Sequence, residues 1–171
     1  MAQNIRKCVS VALAIAIYYI VHEGAHLLVA LALGTFERVN FAFFGLGMQI
    51  VARTWAMTNG QLIVFATAGP ACALLAGYIL VLCRARILRA NSEYLRTVSY
   101  YGTLVLLWLD PLYLSILFRF VGGGDMNGIL LLGVSEAAAS IFFLCLLLLN
   151  IFIVIKLVYP AYKNRFLQDV F

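Results

Sequence analysis

This chain is poor in charge. Twelve basic and seven acidic residues make up 11% of its 171 positions, against 65% hydrophobic residues and a mean hydropathy of +1.02. Soluble domains carry roughly 25% charged residues, so the composition excludes one and describes a chain dissolved in lipid. Its four cysteines, Cys8, Cys72, Cys83 and Cys145, form no C-x-x-C pair. That excludes a thiolate metal cluster or redox pair and leaves them as buried small hydrophobes. Basic side chains are not interleaved with aromatic ones, so nucleic acid is excluded as a partner, and the net charge of +5 is left to membrane topology and anionic lipid headgroups. At this length there is room for about four helices of roughly 20 residues and for no separate soluble domain. Residues 1–171 therefore read as a single integral membrane domain.

Apolar length and punctuation place the spans at about 8–33, 60–83, 97–121 and 127–159, the last leaving the membrane near Lys156. The first begins on Arg6-Lys7 as a signal peptide does, but it is longer than an h-region and lacks a small-x-small exit, so it reads as a retained helix. Four spans put both termini on one side. Nine of the twelve basic residues lie at the N-terminus (Arg6, Lys7), in the second connection (Arg84, Arg86, Arg89, Arg96) and in the tail (Lys156, Lys163, Arg165), which predicts cytoplasmic termini. Between the first two spans, Phe36, Val39, Phe41, Phe43 and Phe44 favour strand, Gly45-Leu46-Gly47 breaks the run, and Met48-Gln49-Ile50-Val51 resumes it. This is a hairpin over 36–51 with a glycine turn, too apolar for a solvated loop and so membrane-associated. The fold class expected is an all-α membrane protein of about four transmembrane helices with that hairpin between the first and second.

Against this background the run His22-Glu23-Gly24-Ala25-His26 stands out. Ionisable residues in hydrocarbon cost roughly 2.5–3.5 kcal/mol each on insertion scales, so three in five positions need a chemical reason. Four residues apart on a helix, the two imidazoles share a face and can hold one metal ion, while Glu23 sits one step round, close enough to take a proton from water. That is the arrangement of a zinc hydrolase. A third protein ligand is required. Asp125, in Gly122-Gly123-Gly124-Asp125-Met126-Asn127-Gly128, suits a re-entrant ligand loop, although an aspartate there also suits a helix cap. Asp110, mid-span before Pro111, is either a competing ligand or a hydrogen-bonded partner at the proline break. Glu136 falls too far into its helix to reach the histidines. His26, Gly69-Pro70 and Asp110 lie at about one depth, and Pro70 should kink the second span and free a carbonyl for a cavity; Asp125 reaches that depth only if the glycine loop dips inward.

The His-Glu-Gly-Ala-His helix, the apolar hairpin, Ala68-Gly69-Pro70 in the second span and the aspartate loop together resemble the site-2 proteases, intramembrane zinc metalloproteases, over about residues 15–140. The resemblance is to a minimal form without PDZ-like or CBS-like domains. It implies one zinc per chain bound by His22, His26 and Asp125, with Glu23 as catalytic acid/base. It further implies hydrolysis of peptide bonds in a transmembrane protein substrate that must first unwind, and pairing with the hairpin edge around Gln49 would satisfy the extended substrate backbone. Two positions depart from the family pattern. Ala73 stands three residues after Pro70 where asparagine is common, and Gly124-Asp125-Met126 replaces Leu-Asp-Gly. The charge distribution also sets the site nearer the non-cytoplasmic surface, opposite to well-known bacterial relatives. The altered motifs and small size fit an alternative: a catalytically silent, protease-like structural subunit of a larger membrane complex, or a chain that works with a membrane partner or a second copy. A metal or proton translocator would need more polar residues along the spans than are present.

Overall fold

In the computed structural model, residues 2–42 and 47–168 are described. The element order is α1 (Ala2–Ala32), β1 (Phe36–Ala42), β2 (Gly47–Ala52), a short 3-10 turn (Thr54–Ala56), α2 (Asn59–Leu88), α3 (Glu93–Leu112), a π-helical turn (Tyr113–Leu117), α4 (Phe118–Val121), α5 (Gly124–Leu130), α6 (Glu136–Ile153), a second π-helical turn (Val154–Val158) and α7 (Tyr159–Gln168). Four segments, Ile5–Ala32, Asn59–Leu88, Glu93–Val121 and Glu136–Asn164, are long and apolar enough to cross a membrane. Their outer faces carry exposed apolar side chains such as Ile20, Leu28, Leu82 and Phe152, a surface that is costly in water and suited to lipid. The chain is an all-α, multi-pass membrane protein with a two-stranded hairpin between its first two spans.

Local chemistry explains where the helices start. Thr58 and Gln61 form a reciprocal capping box at the head of α2. Ser92 caps α3 and Ser135 caps α6 through hydroxyls that accept the amides of Leu95 and Ala138. Arg6 in α1 pairs with Glu93 in the first turn of α3, so these two helices begin at the same end of the bundle.

Two prolines inside helices organise the core. Pro111 has no N–H, which leaves the carbonyl of Leu107, four residues earlier, without its helical partner. The Asn150 side chain of α6 fills that vacancy, its Nδ2 donating to Leu107 O at 2.7 Å, while its Oδ1 accepts from the Tyr78 hydroxyl of α2 at 2.7 Å. One buried amide thus ties α2, α3 and α6 together. Asn150 is fully buried, and in hydrocarbon each of these polar groups would otherwise be unsatisfied. The helix beyond Pro111 passes through the π turn at Tyr113–Leu117, and Leu114 and Phe118 there pack on Met126 and Ile129 of α5 and on Ala139 of α6.

The fourth span begins later than the apolar run suggests. Residues 124–130 form the separate helix α5, Gly133 takes a left-handed φ of 81°, and the spanning helix starts at Glu136. Glu136 is therefore not deep in a helix. It sits exposed in the first turn of α6, 3.0 Å from Arg119 Nε. The cysteine expectation also needs correction: all four are free and lie on outward faces rather than in the interior. In a bilayer an apolar environment surrounds the protein as well as filling it, so apolarity does not distinguish inside from outside.

The hairpin is antiparallel, with Val39 opposite Ile50 and Asn40 opposite Gln49, and an irregularity at Phe36/Arg38. The expected glycine turn falls on residues 45–46, and Phe43 and Phe44 with it, outside the described residues. Arg53 N–H donates to Thr35 O at 2.8 Å. By the alternation of an antiparallel ladder, Gln49 and Val51 also turn their amides toward β1, while Met48, Ile50 and Ala52 turn theirs outward. Gln49 therefore belongs to the paired side of β2, not to its open edge.

Candidate metal centre

The site lies where α1, α2, the end of α3, α5 and β2 meet, around a cavity of about 750 Å³. His22 and His26 stand one turn apart on α1 with their Nε2 atoms 3.2 Å from each other. Asp125, in the first turn of α5, faces both, its Oδ2 3.4 Å from His22 Nε2 and its Oδ1 3.4 Å from His26 Nε2. Its depth is reached as the sequence requires, by a loop that turns in. Gly122 at φ 106° and Gly124 at φ 28° adopt backbone that L side chains rarely take. The Tyr113 hydroxyl donates to Gly122 O at 2.7 Å and would lie 2.6 Å from any Cβ at Gly124. Asp125 makes no capping bond for α5, whose N-cap is Gly123.

The outer nitrogens of the two rings define their tautomers. His26 Nδ1 lies 2.8 Å from the carbonyl oxygen of Phe65 on α2, an atom that only accepts, so Nδ1 carries the proton. That carbonyl is next to the one freed by Pro70, Ala66, and not the freed carbonyl itself. His22 Nδ1 lies 3.1 and 3.2 Å from the two oxygens of Asp110, which places its proton there as well. In the neutral rings both Nε2 atoms then present lone pairs to one point, opposite a carboxylate. Asp110, the competing candidate for third ligand, sits behind the His22 ring, on the side away from that point.

With both rings neutral, these three electron-pair donors repel one another unless a cation joins them. Ligand atoms about 2.0–2.2 Å from a tetrahedral zinc lie about 3.3–3.6 Å apart; the two imidazole nitrogens here are 3.2 Å apart, and each lies 3.4 Å from a different oxygen of Asp125. The surroundings agree. Glu23, Asp110 and Asp125 all line the cavity, and no lysine or arginine does among the described residues. His22, His26 and Asp125 thus form a group able to hold a metal ion, and the donor set, its spacing and the excess of negative charge fit zinc.

Close packing shapes the same point from below. A Cβ on Gly69 of α2 would lie 2.8 Å from His22 Nε2 and closer still to His26 Nε2. Glycine is the residue that lets this helix pass under both rings. Gly128 of α5 similarly seats against Ala66, which brings the Asp125 helix onto α2.

Glu23 is buried, and its Oε2 accepts the outward-facing amide of Ile50 on β2 at 2.7 Å. The hairpin edge is thereby fastened to the carboxylate beside the two histidines. Sequence reasoning brought out His22, Glu23, His26 and Asp125, and the fold gathers all four in one cavity. It missed Tyr18, whose hydroxyl donates to Asp110 Oδ1 at 2.6 Å. A signal existed in the spacing, since Tyr18 lies four residues before His22 and so on the same face of α1.

Comparison with protein-family models, with curated proteins and with solved structures finds no match to this chain.

Proposed function

We propose that this chain is an intramembrane zinc metallopeptidase of the kind the site-2 proteases represent, hydrolysing peptide bonds of membrane-embedded substrates. The observation that carries this reading is the convergence of His22 Nε2, His26 Nε2 and the Asp125 carboxylate with a fourth, non-ligating carboxylate, Glu23, in the same cavity. One zinc held by the first three would supply a Lewis acid that polarises a carbonyl and acidifies water near neutral pH. The protein's own contribution begins with Glu23. One of its oxygens is engaged by Ile50 N–H, which leaves Oε1 to take the proton of the attacking water. The water oxygen forms the new bond to the peptide carbon, the C–N bond breaks, and Glu23 passes its proton to the leaving amine.

A helical substrate offers no free carbonyl and must unwind, and its exposed backbone then needs partners within the membrane. The open edge of β2 meets that need. Of its three outward-facing amides, Ile50's is taken by Glu23, so Met48 and Ala52 are the positions free to pair with an added strand. The basic residues at the start of α1, between α2 and α3 and in the tail favour cytoplasmic termini, with the cavity toward the opposite leaflet.

The reading is tested by reconstituting the protein with zinc and following cleavage of a transmembrane peptide that carries a helix-weakening segment. Cleavage by the wild type is expected. Met48→Pro should retain zinc and lose most of that cleavage, since it removes an edge amide without disturbing the β1 side of the ladder. Unchanged cleavage by Met48→Pro would discard strand addition, and absence of cleavage by the zinc-loaded wild type would discard the peptidase.

A further inference from the structure

Asp110 is 1% exposed, at mid-span and directly before Pro111. A carboxylate in such a place persists only where it is paired. Its partners are the Tyr18 hydroxyl at 2.6 Å and the protonated Nδ1 of His22 at 3.1–3.2 Å. Neither is a fixed cation, and no lysine or arginine lines the cavity among the described residues. With the ring neutral, as a metal ligand is, the positive charge that balances Asp110 lies beyond the ring, at the far nitrogen of His22. The two histidines are treated differently in this respect, for His26 rests on a neutral backbone carbonyl.

We propose that Asp110, itself held by Tyr18, is the positioning carboxylate of the metal centre. It fixes the His22 ring with Nε2 aimed at the ion and strengthens that nitrogen as a donor, and it is not a ligand. The proposal rests on the reading that His22 and His26 bind a metal. Tyr18 contributes by occupying Oδ1 from the preceding turn of α1, so that the carboxylate cannot swing away from the ring. Its hydroxyl also lies 3.4 Å from His22 Nδ1, which brackets the ring nitrogen from two sides. Outer partners of ligating histidines set both orientation and basicity, and their loss typically weakens metal binding about 10–100-fold.

The test is a cobalt(II) titration of the metal-free protein, read by visible absorption, for wild type, Asp110→Asn and Tyr18→Phe, with thermal melting of each metal-free form. Asp110→Asn is expected to weaken cobalt binding about 10–100-fold, to give the wild-type spectrum at saturation because the ligands are the same, and to melt as a folded protein. Tyr18→Phe should shift affinity in the same direction by less. Should Asp110→Asn fail to fold, Tyr18→Phe decides, since it removes only one hydroxyl. Wild-type affinity in the folded variants would overturn the proposal while leaving the metal centre intact. A changed spectrum at saturation would overturn it by making Asp110 a ligand. A wild type that binds no cobalt would overturn the metal centre and the proposal together.

Discussion

Gly69→Ala is expected to abolish metal binding although every ligand remains in place. The methyl group would occupy space 2.8 Å from His22 Nε2 and nearer still to His26 Nε2, well inside the contact distance of carbon and nitrogen. Either the rings turn away from Asp125 or α2 moves back, and both changes spoil an arrangement in which the ring nitrogens lie 3.2 Å apart and each 3.4 Å from an Asp125 oxygen. Pro70, the next residue, and the bond from His26 Nδ1 to Phe65 O restrict how far α2 can yield. A displacement of this kind at the ligand atoms themselves should cost at least the ~100-fold in affinity seen when outer-shell support is lost. The matching control lies inside the motif. Gly24 has nothing within 4 Å of where a Cβ would stand, so Gly24→Ala should bind zinc as the wild type does. Zinc affinities of the two variants, measured by competition with a chromogenic chelator, separate these outcomes. Equal affinity in both would mean that α2 does not pass beneath the histidines as described.

Glu23→Gln should leave the metal in place and remove the reaction. Glutamine keeps an oxygen able to accept the Ile50 amide, so the tie between α1 and β2 survives. What disappears is the group that accepts and returns a proton, a contribution of about 10²–10⁴ in rate for a positioned acid/base. Turnover of the transmembrane peptide should fall by that factor with zinc content unchanged. Near wild-type turnover would assign the proton transfer elsewhere. Loss of zinc would make Glu23 part of the metal's coordination, which its engagement with β2 argues against.

Much of this architecture is legible in the amino-acid sequence because lipid makes polarity expensive. His22, Glu23, His26, Asp110 and Asp125 are conspicuous among apolar neighbours, and rise per residue suffices to place His26, Gly69 and Asp110 at one level. The hairpin is legible through its β-favouring aromatics and its glycine break. What the sequence does not reveal is azimuth. In α1 and α2 apolar residues surround the helix on all sides, so no stripe marks the inner face, and the outward turn of Cys72 and Cys83 is as compatible with the pattern as an inward one. For the same reason depth alone left Asp110 and Asp125 as rivals. They are separated by direction, one behind the His22 ring and one before it. Asn150 is a different case. Its partner is a carbonyl exposed by Pro111, 43 residues away in sequence, and that vacancy exists only once α3 and α6 are packed. The break at 131–135 is not legible in the sequence because the apolar run continues through it, and the left-handed Gly133 that ends the turn resembles any small residue of a membrane helix.

A zinc ion held by His22, His26 and Asp125 is tested most directly by metal content. Protein extracted in mild detergent without chelator would be analysed by mass spectrometry for zinc per chain, wild type beside Asp125→Ala. About one zinc per chain in the wild type, lost in Asp125→Ala, is the result expected of a centre with three protein ligands. Zinc absent from every wild-type preparation, or retained in full by Asp125→Ala, would contradict that centre, and absence would favour a catalytically silent membrane scaffold.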